Sequence, residues 1–399
     1  MLALRIAILL GGLALVLWTL GSVITSVIVP RANTSRISGT LAALVQKAAA
    51  LLASGRADYM ARDGILAQVA PLFLVLRLVL WIGLLVGGFA ALLWGAGEST
   101  WADAFRLSAS SVLPLGISRA HSGLTTAIVF LESASGVIVV ALQISYLPSL
   151  YSSFNRRETL VTMLNSSSGS PPWGPEILAR HALIDNQDHL EQLYHDWEQW
   201  AADLAESHTS YTILLFFRSP DPRTSWVVAL LACMDAAALQ LSLDPLGAPA
   251  SARPFMRMGI VCLRSLARAK SIPYNADPLP ADPISLTYED FEYGVARMTS
   301  VGWQPERTVA DAWPEFRGWR VNYEATAYGL AALIDAPPGP WSGPRRGRLQ
   351  SSMVPVRPPH RQPSGEQGRM LEVTRQRRAR RSATGRSHGS ARERVDPPA

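Results

Sequence analysis

The chain is poor in charge and poor in cysteine. Only 17% of its 399 residues are charged, against 48% that are hydrophobic, a balance too apolar for an ordinary soluble chain. Its two cysteines, Cys233 and Cys262, sit in apolar helical-looking sequence with no C-x-x-C spacing. This excludes a disulfide framework or a cysteine zinc site and suits a reduced, cytosolic setting. There is no G-x-G-x-x-G, no phosphate-cradling glycine loop, no nucleophile elbow around Ser210 or Ser225 and no metal-ligand spacing. His189 and His195 are six residues apart, which does not place them on one helical face as i, i+4 ligands would be. With Glu206 and His208 they read as solvated helix side chains. No cofactor and no enzymatic activity are expected; an enzyme with an unrecognised pocket in residues 175–335 is the weakest of three readings.

Long apolar runs are present instead. Ile6 to Val29 is 24 residues without a charge, enough at 1.5 Å per residue to cross a hydrocarbon core of ~30 Å. It is too long for a signal peptide, has only Arg5 before it and no A-x-A cleavage pattern after it. Ala70 to Gly97 is interrupted only by Arg77, and Leu124 to Tyr151 only by Glu132. The expected fold is therefore an all-α membrane protein with three transmembrane helices. Its divisions are residues 1–30 (first span), 31–69 (cytoplasmic loop or helix), 70–155 (second and third spans with the segment between), 156–174 (a Ser/Pro/Gly linker), 175–337 (a cytosolic α-helical domain) and 338–399 (a disordered tail). Arg31, Arg36, Lys47, Arg56 and Arg62 flank one side and Arg156-Arg157 follow the third span; Arg106 and Arg119 alone lie between the last two. The positive-inside rule then places the C-terminal domain in the cytoplasm and the N-terminus outside, in the cell membrane.

Between the second and third runs stands Leu107-Ser108-Ala109-Ser110-Ser111-Val112-Leu113-Pro114-Leu115-Gly116-Ile117-Ser118. Trp101, Phe105 and Leu107 at helical spacing predict a helix of about three turns, capped by Ser99 or Thr100 and stopped before Pro114. The segment is an outer surface loop or a re-entrant loop, and only the second makes an ion route.

Residues 70–155 resemble the two-helix-plus-loop unit of the potassium-channel superfamily. Ala109-Ser110-Ser111-Val112 stands where that family has a small residue, two hydroxyls and Val, and Gly116 stands where its last filter Gly falls, with one extra residue between. Ser152-Ser153-Phe154-Asn155-Arg156-Arg157-Glu158 is similar to the exit sequence of bacterial proteins loosely called two-pore-domain potassium channels. The resemblance implies an oligomer, four copies around a central path, and backbone carbonyls that replace an ion's water shell. It implies an ion pathway along Ser110, Ser111, Val112, Leu113, Pro114, Leu115 and Gly116, with Glu132 as a cavity carboxylate and Gly136 as a hinge or packing position. Leu113-Pro114-Leu115-Gly116 replaces the Gly-Tyr-Gly that the potassium filter needs, so an intact potassium filter is not expected. A Glu132 facing a cation path makes Glu132→Gln change cation preference. The alternative for Glu132 is a neutral acid or an ion pair with Arg77, because a lone carboxylate at mid-span costs ~3 kcal/mol.

The C-terminal half carries an aromatic stripe at three- and four-residue steps, Ile177 through Leu204, predicting one long helix opened by Pro175. Ile213-Leu214-Leu215-Phe216-Phe217 predicts a buried strand or a helix continuation. Trp226 to Leu243 is apolar on nearly every face and so predicts a buried helix. Helices are expected at Pro254–Ala269, Tyr288–Ser300 with a capping box at Thr287 and Asp290, and Val309–Ile334 with a kink or break at Pro314.

From Trp341 onward the tail holds fourteen Arg against four acids, a net of +10, leaving −4 of the chain's +6 for the rest. Arg375, Arg377, Arg378, Arg380 and Arg381 form its densest run. Such a run attracts an anionic lipid surface, binds nucleic acid without sequence preference, or is simply solvated; no specific nucleic-acid partner is expected. Two functional readings precede the enzyme. One is a channel-like membrane protein passing an inorganic cation. The other is a non-conducting scaffold or sensor whose helical domain recruits a partner.

Overall fold

The structure, a computed structural model, describes residues 2–29, 35–113, 115–117, 120 and 122–343, and among these there is no β-strand. They divide into two compact units, one drawn from Met1–Asn155 and Ser207–Arg218, the other from Arg156–Glu206 and Ser219–Ala399. Five helical segments are long and apolar enough to cross a bilayer by length and composition: Leu2–Val27, Arg36–Ser54, Tyr59–Gly95, Gly123–Ser168 and Trp226–Leu243. Among the described residues the fold is all-helical, and these apolar helices suggest a membrane protein, with two more such segments than the apolar runs alone suggested.

In the first unit α1 (Leu2–Val27) lies antiparallel to α4 (Val69–Gly95). Glycine sets their separation. A Cβ on Gly12 would stand 2.6 Å from the Gly88 carbonyl oxygen, and one on Gly95 would meet Leu9 and the Arg5 backbone. Small residues at such crossings let backbones approach closely where no water is present to drive association. A second tie is polar: Trp81 Nε1 donates to Ser22 Oγ at 3.1 Å. Between them come α2 (Arg36–Ser54) and α3 (Tyr59–Leu66), capped by the side chains of Ser35 and Asp58.

The segment read as a buried strand or helix continuation is a short 3-10 helix, Thr212–Phe216, and it belongs to this first unit. Ile213, Leu214 and Phe217 join Val69, Phe73, Tyr146 and Leu150 in one core. Tyr211 meets Tyr146 edge-on, Phe217 meets Tyr151, and Arg218 forms an ion pair with Asp63. Its continuous apolar pattern was correct for burial and silent on where it would be buried.

The second unit is built around α9 (Trp226–Leu243), every residue of which is buried. An apolar helix enclosed on all sides needs no polar face. Around it stand α7 (Gly174–Leu183), α8 (Leu190–Ser210), α10 (Ala252–Ala269), α11 (Tyr288–Thr299), α12 (Val309–Arg320) and α13 (Glu324–Leu333). The capping box of α11 forms as its sequence implies.

Three expectations need correction here. The single helix from Pro175 to Leu204 is two helices, because Asp185 takes a left-handed φ of 53° and closes α7, with Asn186 N bonded to His181 O. The helix over 309–334 breaks at Val321–Tyr323 and not at Pro314, which stays inside α12. There the Asn322 amide donates to the Gly318 and Trp319 carbonyls, taking the acceptors of the last turn from the backbone. His208 is buried and not solvated, with Nδ1 2.9 Å from Ser207 Oγ.

The third apolar run continues as helix α6 (Gly123–Ser168), well past Tyr151 into the stretch assigned to a linker. Order also reaches beyond Pro338. Trp341 is buried, packs edge-on against Trp173, and its carbonyl accepts from Arg320 and Tyr328. The expected disorder beyond residue 343 lies outside the described residues.

Burial holds the Lys270 amine, at the end of α10, down at about 8 against its usual 10.5. Between these values the unfolded chain binds a proton that the folded one does not, so this group's contribution to stability rises with pH across that window. Thermal midpoints of the wild type and Lys270→Met are expected to change their spacing from pH 8 to pH 10, the wild type gaining. Parallel curves would show the amine to be solvated.

Candidate functional site: the α4–α5–α6 contact

The short helix α5 (Trp101–Val112) starts where the sequence places it. Thr100 is its N-cap, accepting from Asp103 N at 3.1 Å, and its hydroxyl donates to Asp103 Oδ2 at 2.6 Å. One face of α5 is buried: Ala104, Leu107, Ser108, Ser110, Ser111 and Val112.

Its direction follows from three contacts. The Trp101 ring meets Trp94, near the end of α4, with centroids 6.1 Å apart. Seven residues on, Ser108 Oγ donates to the Val86 carbonyl at 2.8 Å and also bonds Glu132 Oε1. Four residues further, Val112 packs its backbone against Gly136, so closely that a Cβ on Gly136 would collide with the Val112 carbonyl oxygen. As α5 advances, its partners recede along α4 and advance along α6. The short helix therefore runs lengthwise between the two long ones, antiparallel to α4 and parallel to α6. It does not lie across their ends. At 1.5 Å per residue, Val86 is ~13 Å before the end of α4 and Gly136 ~20 Å after the start of α6.

The chain then turns back. Leu115 N donates to Ser110 O and Ile117 N to Ser110 Oγ, both at 2.8 Å. Gly116 takes a φ of 66°, in the left-handed region that favours glycine. Leu113, Leu115 and Ile117 are exposed. Pro114, placed in the ion pathway from the sequence, lies outside the described residues, as do Arg375, Arg377, Arg378, Arg380 and Arg381.

Two sequence-derived candidates are internal to this contact. Glu132 is fully buried, and its Oε2 has no hydrogen-bond partner among the described residues. The Arg77 ion pair considered for it is not made. The Arg77 guanidinium instead donates to Gln143 Oε1 at 3.0 Å and lies over the rings of Phe73, Trp81 and Tyr146, 4.8–5.4 Å from their centroids. These rings offer their negative faces to a cation that has no carboxylate. Gly136 is a close-packing position. Ser110, Ser111 and Val112 are buried on α5, and Leu113, Leu115 and Gly116 form the returning edge. Ser108 was missed; it lies at the centre of the contact, and its only signal was a hydroxyl one turn before Ser111.

At the end of the helices where α5 begins there is a cavity of about 330 Å³, lined by Ala96, Gly97, Glu98, Ser99, Ser122 and Thr125.

Neither a protein-family model, nor a curated protein, nor a solved structure matches this chain. Among the described residues no three His, Cys, Asp or Glu side chains gather to hold a metal ion. What the contact provides is a helix inserted lengthwise between two long apolar helices, with a turned-back edge left uncovered.

Proposed function

We infer that this chain is a channel-like integral membrane protein. In this reading α4 and α6 are spans, α5 is a re-entrant pore helix, and the returning edge around Leu113–Ile117 faces a central axis shared by several copies. One observation carries the reading: Ser108 bonds to Val86 and Glu132, partway along both long helices. A helix lying on the outer surface has no access to those depths. The route passes a cation without a potassium filter, since Leu113, Leu115 and Gly116 do not supply the Gly-Tyr-Gly backbone. Four copies are the number the family resemblance implies.

In this reading Glu132 acts by holding α5 through Ser108 and does not bind the ion itself. Protein reconstituted in liposomes should give cation flux. Glu132→Gln keeps a polar group that can hydrogen-bond Ser108 and should leave ion preference unchanged, whereas Glu132→Leu should reduce flux about tenfold, the effect of removing a buried hydrogen-bond partner worth 1–3 kcal/mol. Flux whose cation preference shifts with Glu132→Gln would return Glu132 to the ion path.

The second reading, a non-conducting scaffold or sensor, is favoured by the apolar character of Leu113, Leu115 and Ile117, which present no polar side chain to an ion. Absence of current at every voltage and pH in planar bilayers selects it.

A further inference from the structure

Helix α10 has a charged face that the rest of its unit leaves unanswered. Between Asp244 and Asp277 the chain carries Arg253, Arg257, Arg264, Arg268 and Lys270 and no acid. At 100° per residue the four arginines fall within about 60° of one another around the helix. The opposite side, Phe255, Met256, Cys262, Leu263 and Leu266, is buried. Arg253, Arg257 and Arg268 are exposed, and Arg264 is half-buried.

Elsewhere in this unit several arginines find carboxylates, Arg156 with Asp203, Arg157 with Glu158, Arg180 and Arg297 with Glu176, Arg223 with Asp221, while Arg317 donates to the backbone carbonyls of Ala281 and Asp282. Among the described residues none of the four on α10 finds a carboxylate. Arg253 lies over the Trp319 ring, Arg264 donates to the Ala276 carbonyl at 2.8 Å, and Arg268 donates to the Arg264 carbonyl and Ser265 Oγ. Like charges held on one stripe repel one another. The stripe is about 22 Å long, so its counter-charge must also be extended. Val261, 45% exposed, sits among the arginines, giving the face an apolar element inside its charge.

We propose that this face of α10 docks on the anionic headgroups of the bilayer that holds the same chain. A cluster of basic residues on one helix face is the arrangement that anionic headgroups attract. Each Lys or Arg near such a surface contributes about 1 kcal/mol, about a fivefold gain. Because the apolar spans already tether the chain, docking is intramolecular and needs little intrinsic affinity. The proposal is independent of conduction.

The test uses the full chain carrying Val261→Cys, labelled with a fluorophore; Cys233 and Cys262 are buried and do not compete. It is placed in nanodiscs of phosphatidylcholine alone or of an equal mixture with phosphatidylglycerol. The label should be shielded from aqueous iodide in the anionic discs only, and high salt should remove the shielding. Arg253→Gln, Arg257→Gln and Arg268→Gln together should lower the docked-to-free ratio about a hundredfold. The label's quenching in neutral discs, unchanged by the three substitutions, reports that the unit remains folded. Equal quenching in both lipids overturns the proposal, as does shielding that survives the triple variant. Shielding produced by single-stranded RNA in neutral discs, without any effect of anionic lipid, replaces it with a nucleic-acid surface.

Discussion

Replacing Arg320 by methionine is expected to lower the stability of the second unit by about 3–5 kcal/mol. Arg320 is completely buried, and four of the five N–H groups of its guanidinium side chain are hydrogen-bonded. Nε donates to Glu324 Oε2 at 2.6 Å, Nη1 to Asp235 Oδ1, and Nη2 to the Tyr328 hydroxyl and the Trp341 carbonyl, both at 2.9 Å. Tyr323 adds its hydroxyl to Asp235 at 2.8 Å. One cation thus answers two buried carboxylates, and these in turn hold the guanidinium in its charged form. Methionine fills much of the volume and leaves Asp235 and Glu324 without counter-charge. Breaking a buried pair from one side is the costly case, because the desolvated partner remains. For a unit of this size the loss corresponds to a fall in Tm of about 10 °C, readable in the fluorescence of Trp173, Trp226 and Trp341. Arg320→Lys keeps the charge but not the planar fork that reaches four acceptors, so it should fall between. A methionine variant that melts with the wild type would mean that the network contributes nothing net.

Gly136→Val is expected to push α5 out of its place between the long helices, at about 1–3 kcal/mol, the range for overpacking a tight contact. Here the obstruction is backbone: the carbonyl carbon and Cα of Val112 would each stand 3.1 Å from the new Cβ, and the carbonyl oxygen nearer still. Backbone inside a helix cannot turn aside as a side-chain tip can. Glu132, one turn earlier on the same face of α6, would lose its bond from Ser108 as α5 moved. The control is within the same unit. Gly83 and Gly87 on α4 have open space where a Cβ would go, and alanine there should be neutral or stabilising by about 0.5–1 kcal/mol. Thermal stability in detergent separates the two cases. Labelling of a cysteine placed at Leu115 should change with Gly136→Val and not with Gly87→Ala. If Gly136→Val were tolerated without either effect, α5 would not be held where the structure puts it, and the re-entrant reading would lose its support.

The helical class, the three longest apolar runs, the cap of α5 at Thr100, the capping box of α11 and the burial of Trp226–Leu243 all follow from local pattern. Period, cap chemistry and length act within a few turns of chain, so each can be read from neighbouring residues. Pattern failed where an element's neighbour was distant in sequence. Ile213–Phe217 is recognisably apolar, but nothing near it indicates that its partners are Phe73 and Tyr146. The break at Val321–Tyr323 arises from a buried Asp235–Tyr323 bond and an Asn322 cap, while Pro314, the stronger local breaker, is accommodated inside α12. Arg77 and Glu132 looked like natural partners by charge alone. Three aromatic faces and Gln143 offered the guanidinium another solution, and a serine not singled out reached the carboxylate. The amino-acid order by itself determined the helical class and the long segments that would leave water, because hydrophobic period and backbone capping are short-range. Which buried polar group met which was decided only in three dimensions, because desolvation makes a buried donor or acceptor take whichever partner packing brings within reach.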